Sequence, residues 1–307
     1  MDNLGDIRLF VEAANLGGLS AAGRKLGLSP AAASARLVKL ESGLHTRLFE
    51  RTTRHLRLTD EGRTYLAYCQ QALQALDDGQ AFLQAGKSVV RGKVRISATS
   101  DFGRHVLNGW LDEFNTQYPE VRFALVLSDS LSNLLQDDID LAIRFGVPPD
   151  SSFVARPLAS NRRVLCASPG YLAKHGAPEH PRDLDRFDCI VLGSAAGPAN
   201  DWRFTQNGKV ESYTVPLENA RETNDGAVAR EWAVHGYGIA MKSIWDIGAD
   251  LRAGRLNIML PEWQSADAPV HALYQRNRYM APRVRAFLDF LIRRFAEESG
   301  RLGEYLS

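Results

Sequence analysis

Two short stretches carry the residues whose types and spacing suggest chemistry. Residues 28–41 read LSPAAASARLVKLE, and residues 47–58 read RLFERTTRHLRL. In the first, Ser29 can accept a backbone N–H at the start of a helix, and Pro30 fits the first helical position because no hydrogen bond is needed there. Ala33, Leu37, Leu40 and Leu44 step at helical spacing and form an apolar face. The remaining surface carries Ala31, Ala32, Ala35, Arg36 and Lys39, with Ser34 near it, and the small alanines allow close approach of a helix backbone to a partner. In the second stretch, Arg47, Arg51, Arg54 and Arg57 fall within eleven residues, a local concentration of the kind that phosphate contacts need.

Elements must hold these groups in place, and the chain predicts them in order. Ile7, Phe10, Val11 and Ala14 mark a first helix. Ser20 is expected to cap a second helix over 21–26, which Gly27 stops. The helix beginning at Ser29–Pro30 follows, ending near Gly43, so that two helices joined by a short glycine-containing turn make a helix-turn-helix. Alternation at 56–58 around Thr52, Thr53 and Arg54 predicts a hairpin, a wing. Thr59 opens a long helix in which Leu66, Cys69, Leu73, Leu76, Gln80 and Leu83 step by three and four, a heptad seam suited to self-association. The alternative is one amphipathic helix packed on its own domain.

Beyond this block the pattern changes. Residues 31–118 contain no proline, whereas prolines recur frequently afterwards. Strands are expected at 92–98, 121–127, 139–145, 187–193 and 270–276. Helices are expected at 101–117, 130–136, 225–236 and 284–298, and 162–176 reads as a strand-to-helix unit. Such alternation implies α/β domains. The segment 86–91 reads as a hinge.

Bulk properties narrow the function. The 307 residues carry a net charge of only +1, so a polyanionic partner would have to be met locally, and residues 1–60 hold nine basic against six acidic groups. No apolar run is long enough to span a membrane, and Asp6, Arg8 and Glu12 interrupt what could otherwise be a signal peptide, so no membrane partner and a cytoplasmic location are expected. The three cysteines, Cys69, Cys166 and Cys189, show no CxxC spacing and read as packing residues in a reducing compartment. HExxH, GxSxG, P-loop and GxGxxG patterns are missing, and His175 and His180 lie beside prolines without a third ligand. An enzyme is therefore not expected, nor a cofactor, nor a metal.

The opening IRLFVEAANLGGLSAAGRKLGLSPAAASARLVKLESGLHTRLFERTTRHLRLTDEG resembles the LysR-type transcriptional regulators. The likeness continues through VRISATSDFGRHVL, DLAIRFG, VLCASPGYLAKHG, TNDGAVAREWAVHGYGIAMKS and RYMAPRVRAFLDFL, and so spans nearly the whole chain. It implies an N-terminal all-α winged helix-turn-helix (1–58), a dimerising linker helix (59–85) and, after the hinge, a C-terminal α/β effector region (92–307). That region resembles type 2 periplasmic binding proteins, with subdomain I at 92–161 and 268–307 and subdomain II at 162–267. The sequence departs from the family pattern at Ala33 and Ala35, where the family commonly has a larger apolar residue and a long polar one.

The implied partners are double-stranded DNA carrying an interrupted palindromic operator, a small organic effector of anionic character, further copies of the chain as homodimer or homotetramer, and RNA polymerase. Ser29, Pro30, Ala32, Ser34, Ala35 and Arg36 are the candidates for the major groove, where Arg36 can pair with guanine and alanine methyls can meet thymine methyls, with Ser20, Ala31 and Lys39 as further DNA-binding candidates. Arg51, Thr53 and Arg54 of the wing would hold phosphates or enter the minor groove. Leu66, Leu73, Leu76 and Leu83 would form the dimer seam. For the effector the resemblance selects Thr99, Ser100, Phe102, Arg144, Phe145, Gly146, Phe153, Ser168, Thr223 and Asn224. A redox sensor of the same fold using Cys166 and Cys189 is the alternative, with a small-molecule-binding protein or enzyme lacking any DNA role more remote.

Overall fold

A computed structural model describes residues 4–51, 56–84, 90–129, 139–146, 153–194, 197–275 and 280–306. The chain divides into two compact units, Met1–Val89 and Val90–Ser307.

Unit 1 begins with three helices, α1 (Leu4–Leu16), α2 (Leu19–Lys25) and α3 (Pro30–Gly43). Leu9, Phe10 and Ala13 of α1, Ala22 of α2, and Ala33, Leu37 and Leu40 of α3 share one core. Ser20 does not cap α2. The cap position belongs to Gly18, and Ser20 is an exposed residue inside the helix. Gly27 does stop the chain as expected, at φ +69°, a conformation that favours glycine. Ser29 caps α3, its Oγ accepting from the Ala32 N–H at 3.2 Å.

The wing pairs β1 (Phe49–Arg51) antiparallel with β2 (Leu56–Leu58), with Phe49 opposite Leu58. Its tip, including Thr53 and Arg54, lies outside the described residues. Glu41 of α3 ties the wing down by accepting from the Leu48 and Phe49 N–H groups at 2.9 and 3.2 Å. α4 (Asp60–Gln84) follows, and the Thr59 Oγ1 accepts from Gly62 N–H at its start. A Cβ on Gly62 would lie 2.0 Å from the Leu48 carbonyl oxygen, so the wing and α4 can meet this closely only at glycine.

Unit 2 alternates strands and helices around two main sheets. β3 (Gly92–Ala98) leads into one continuous helical stretch: α5 (Ser100–Phe102), a π-helical turn (Gly103–Leu107) and α6 (Asn108–Gln117). β4 (Val121–Leu127), β5 (Leu141–Phe145) and β6 (Phe153–Ala159) follow, and the predicted helix at 130–136 lies outside the described residues. The chain then enters the second sheet with β7 (Arg163–Ala167), α7 (Pro169–His175), β8 (Cys189–Ser194) and β9 (Gly197–Pro198). Next come β10 (Asp201–Gln206), β11 (Lys209–Thr214), β12 (Ala220–Thr223), α8 (Gly226–Val234), β13 (Ile239–Ser243), α9 (Ile244–Arg252), β14 (Asn257–Met259) and β15 (Gln264–Ser265). It returns to the first sheet as β16 (Val270–Gln275) and closes with α10 (Pro282–Arg301) and α11 (Gly303–Leu306).

The first sheet has the order β4-β3-β5-β16-β6 and the second β12-β8-β13-β7-β14, with β11-β10-β15 as a smaller third layer. β4, β3 and β5 are mutually parallel, as are β12, β8 and β13. The chain thus crosses between sheets twice, at 160–162 and 266–269. Asn161 links the two crossovers: its Nδ2 donates to the Ala268 carbonyl, its carbonyl accepts from Ala268 N–H, and its Oδ1 accepts from Ser243 Oγ, each at 2.9 Å. Phe295 of α10 lies between Phe102, Trp110 and Trp245, so an aromatic core joins both halves along one edge.

The β10–β11 hairpin is not among the strands expected from the sequence. Asn207 and Gly208 both have positive φ (51° and 78°), which makes a tight hairpin turn of the Asn-Gly kind. The local signal was present in QNGK, flanked by alternating apolar residues.

Candidate functional site

In unit 1 the helix faces are decided by burial. Ala33 is fully buried, and a Cβ on Gly23 of α2 would lie 3.1 Å from the Ala33 methyl. The small residue at 33 is thus a helix-packing requirement. Ser29, Pro30, Ala31, Ala35 and Lys39 are exposed, and Ala32, Ser34 and Arg36 are half-buried. Val38 is 45% exposed on the same helix and belongs among the face residues, although the apolar reading of leucine spacing passed over it. Arg36 leans toward α1, its Nε 3.7 Å from Oδ1 of the buried Asp6.

The heptad seam divides in two. Leu66, Cys69 and Leu73 pack into the core of unit 1, and Leu76 is 46% exposed. Leu66 and Leu73 are therefore occupied within their own unit, because the first half of α4 closes the three-helix core. The backbone of Leu83 lies within α4.

Unit 2 contains a cavity of about 370 Å³ between its two sheets. β3 and β4 are parallel and in register to Ala98–Leu127, so both release their C-terminal ends at the same level. This brings Thr99, Ser100 and Asp101 beside Asp129. From the other sheet come Gly226 at the start of α8, Ile190 and Leu192 of β8, and Met241, Lys242 and Ser243 of β13. Trp202 and Arg203 of β10, Arg163 of β7 and the second crossover complete the lining.

The floor is a polar cluster that joins both halves. Lys242, 5% exposed, lies 2.5 Å from Oδ2 of Asp101 and 3.4 Å from Asp246, and donates to the Gly226 carbonyl at 2.7 Å. Asp101 also meets His105 at 2.8 Å, a contact that raises the imidazole against the opposing cost of burial. Burial raises the Asp246 carboxyl to about 7, with Lys242 pulling it down and Asp101 pushing it up. Burial disfavours the charged form of Lys242, yet Asp246 and Asp101 outweigh it and its pKa is raised. Nearby, Arg104 donates to both carboxylate oxygens of Asp225 at 2.8 Å. Asp225 is lowered on balance, since these bonds and the N–H groups opening α8 outweigh burial.

The ten effector candidates separate clearly. Thr99, Phe145 and Gly146 line the cavity. Ser100 lies beneath it, bonded to Asp129. Phe102 is fully buried in the aromatic core and provides no wall. Arg144 is buried within the first sheet, donating to Ser97 Oγ at 2.7 Å, and burial lowers it to about 10. Phe153 packs beside Ile139, Ala142 and Leu273. Ser168 caps α7 and borders a separate depression with Tyr171 and His235. Thr223 accepts from Asp225 N–H, and Asn224 is exposed; neither lines the cavity, and Gly226, two and three residues further on, does so instead.

Both sheet cysteines are buried, and burial pushes each thiol up to about 12, so neither forms thiolate readily. Strand β13 lies between their strands. Two strand spacings make about 9–10 Å, beyond the roughly 7 Å limit for a disulfide. His175 stacks on Tyr171, while His180 pairs with Glu211, and no metal-binding group of three occurs among the described residues.

Two family patterns match this chain: "Bacterial regulatory helix-turn-helix protein, lysR family" over residues 4–63 and "LysR substrate binding domain" over 87–296. The chain belongs to the LysR family. Among LysR-family relatives, the transcriptional regulator DmlR of Escherichia coli K12 is 33% identical over 96% of this chain and 95% of its own length. A transcriptional repressor of Pseudomonas aeruginosa is 35% identical over 97% and 93%. The solved structure of CrgA, a LysR-type regulator from Neisseria meningitidis, is 30% identical, covers 96% of this chain and 99% of its own, and superposes with a TM-score of 0.62. The protein is thus a LysR-type transcriptional regulator with a helix-turn-helix DNA-binding unit and an α/β effector-binding unit, and not an enzyme. No helix among the described residues is long and apolar enough to cross a membrane.

Proposed function

We propose that this regulator reads an interrupted palindromic operator as a homodimer or homotetramer and responds to a small organic effector held in the cavity of unit 2. The exposed face of α3 enters the major groove, with Ala31 and Ala35 allowing close approach and offering methyls to thymine. Arg36, released from Asp6, pairs with a base, and the wing with Arg51, Thr53 and Arg54 holds phosphates. Leu76 and Leu83, on the second half of α4, form the dimer seam. RNA polymerase is the downstream partner.

The observation that carries the effector reading is the cavity itself, open between two sheets and lined by both apolar and charged side chains. Phe145, Ile190, Leu192, Trp202 and Met241 suit an apolar body. Arg163 lines the same cavity, is exposed, and forms no ion pair among the described residues, so the anionic end of the effector is assigned to it. Binding that favours one placement of the subdomains shifts the population of DNA-binding states.

The test is to map where the purified protein binds on its own genome, then to screen small organic acids by thermal shift and by footprint change at those sites. A hit whose effect is lost in Arg163→Ala and retained in Arg36→Ala supports the reading. Random DNA bound as well as every genomic site would overturn the operator assignment.

A further inference from the structure

The first turn of the Ser100 helix stretch was expected to meet the anionic group of an effector. It already meets a carboxylate, supplied by the chain. Asp129 accepts from Ser100 N–H at 3.0 Å through Oδ1, and from Ser100 Oγ at 2.7 Å through Oδ2. The same Oδ2 accepts from Gly226 N–H at 3.2 Å, and Gly226 N–H also reaches Ser100 Oγ at 2.9 Å. Ser100 and Asp129 follow strands β3 and β4 of the first sheet, and Gly226 follows β12 of the second, so one carboxylate spans the cleft. Asp129 acts as an opposite charge on the buried Arg144 and on Arg104, and as a like charge on Asp246.

We infer that Asp129 is a tethered ligand, filling with its own carboxylate the position that a free carboxylate would otherwise take at the cleft floor. The inference rests on the effector reading of the cavity and specifies which part of it is closed to an anion. A tethered group competes at an effective concentration in the millimolar range or above, so a free acid gains nothing by entering there. The floor therefore holds its two halves together without effector. The open remainder, where Thr99 Oγ1 and Asp246 Oδ1 are buried without hydrogen-bond partners among the described residues, faces the effector with an uncharged or hydrogen-bond-donating part. Its anion end is left to Arg163.

Asp129→Ala removes the carboxylate and keeps the β-carbon, and acetate serves as a small carboxylate probe for the vacated position, which defines the experiment. Thermal unfolding of the full chain is followed in sodium acetate against sodium chloride at equal ionic strength. Acetate is expected to raise the midpoint of Asp129→Ala over chloride by about 2–4 °C more than it raises that of the wild type or Asp129→Asn, whose floor position is full; a general salt effect or binding at Arg163 is common to all three. Equal acetate shifts in Asp129→Ala and wild type would overturn the inference, as would none in either. Should Asp129→Ala not fold, Asp129→Ser is used with the same expected and overturning results. Operator binding by the wild type, measured in parallel, reports on the regulator reading separately: its failure leaves the acetate result intact, and the reverse also holds.

Discussion

In unit 1 the face proposed for the major groove comes from one helix, between Ser29 and Lys39, with capping and burial set by immediate neighbours. In unit 2 the cavity takes its walls from nine separated stretches between Thr99 and Ala268. The first kind of site tolerates change residue by residue, since an exposed side chain can be exchanged without unpairing another. In the second, polar groups are shared across the cleft, and a single exchange strands its partners.

The largest expected effect follows from that sharing. Lys242→Met leaves Asp101 and Asp246 facing each other without their buried cation and should cost about 3–5 kcal/mol in urea unfolding of unit 2. A loss no greater than that of an exposed lysine would mean that the floor is not a single cluster. The same cluster sets a pH dependence. Asp246 in the folded state holds a proton that the unfolded chain releases near its ordinary value, so this contribution to stability falls as pH rises from about 4 to 7. His105, raised by Asp101, acts in the same direction, its contribution being full below its ordinary value and lost as pH climbs through the folded one. Asp246→Asn should flatten the slope of the urea midpoint across this window, and an unchanged slope would place its origin elsewhere.

Changes in unit 1 should be smaller. Arg36→Ala is expected to shift base preference by about 1–3 kcal/mol at one position in a competition selection, while Arg54→Ala should weaken all sequences alike and reduce the salt slope by about one. Equal losses on specific and random DNA from both variants would erase that division. Ser29→Ala removes the cap of α3 and should cost about 1 kcal/mol of unit 1 stability by thermal melting. The smallest effect is expected from replacing Cys166 and Cys189 by alanine: peroxide and effector responses should match the wild type, and a lost peroxide response would restore the redox reading.

The same contrast explains what could be read from the chain. Ser29–Pro30, the wing pattern and the main strands are local, carried by caps and periodicity over a few residues. Ser20 misled because a serine ahead of an apolar run suits a cap, while the chain enters that helix two residues earlier, at Gly18. Leu66 and Leu73 misled because a heptad seam and a core-facing stripe have the same spacing. At the cavity, Asp101 and Asp129 carry no spacing signal toward each other or toward the Lys242–Asp246 pair four residues apart, since the fold brings them together across long sequence separations. Phe102 went the other way: the resemblance selects it for the effector, but the helix turns it into the aromatic core.

The two crossovers that Asn161 links have a mechanical consequence. A single tether between lobes permits swinging and twisting alike. Two adjacent strands, bonded to each other at Asn161 and Ala268, resist twist and leave bending about one axis as the compliant motion. On the proposed effector reading, chemically unlike molecules entering the cleft would produce the same kind of displacement and differ only in its extent. Unit 2 would then have one mechanical coordinate, whatever the chemistry of its input.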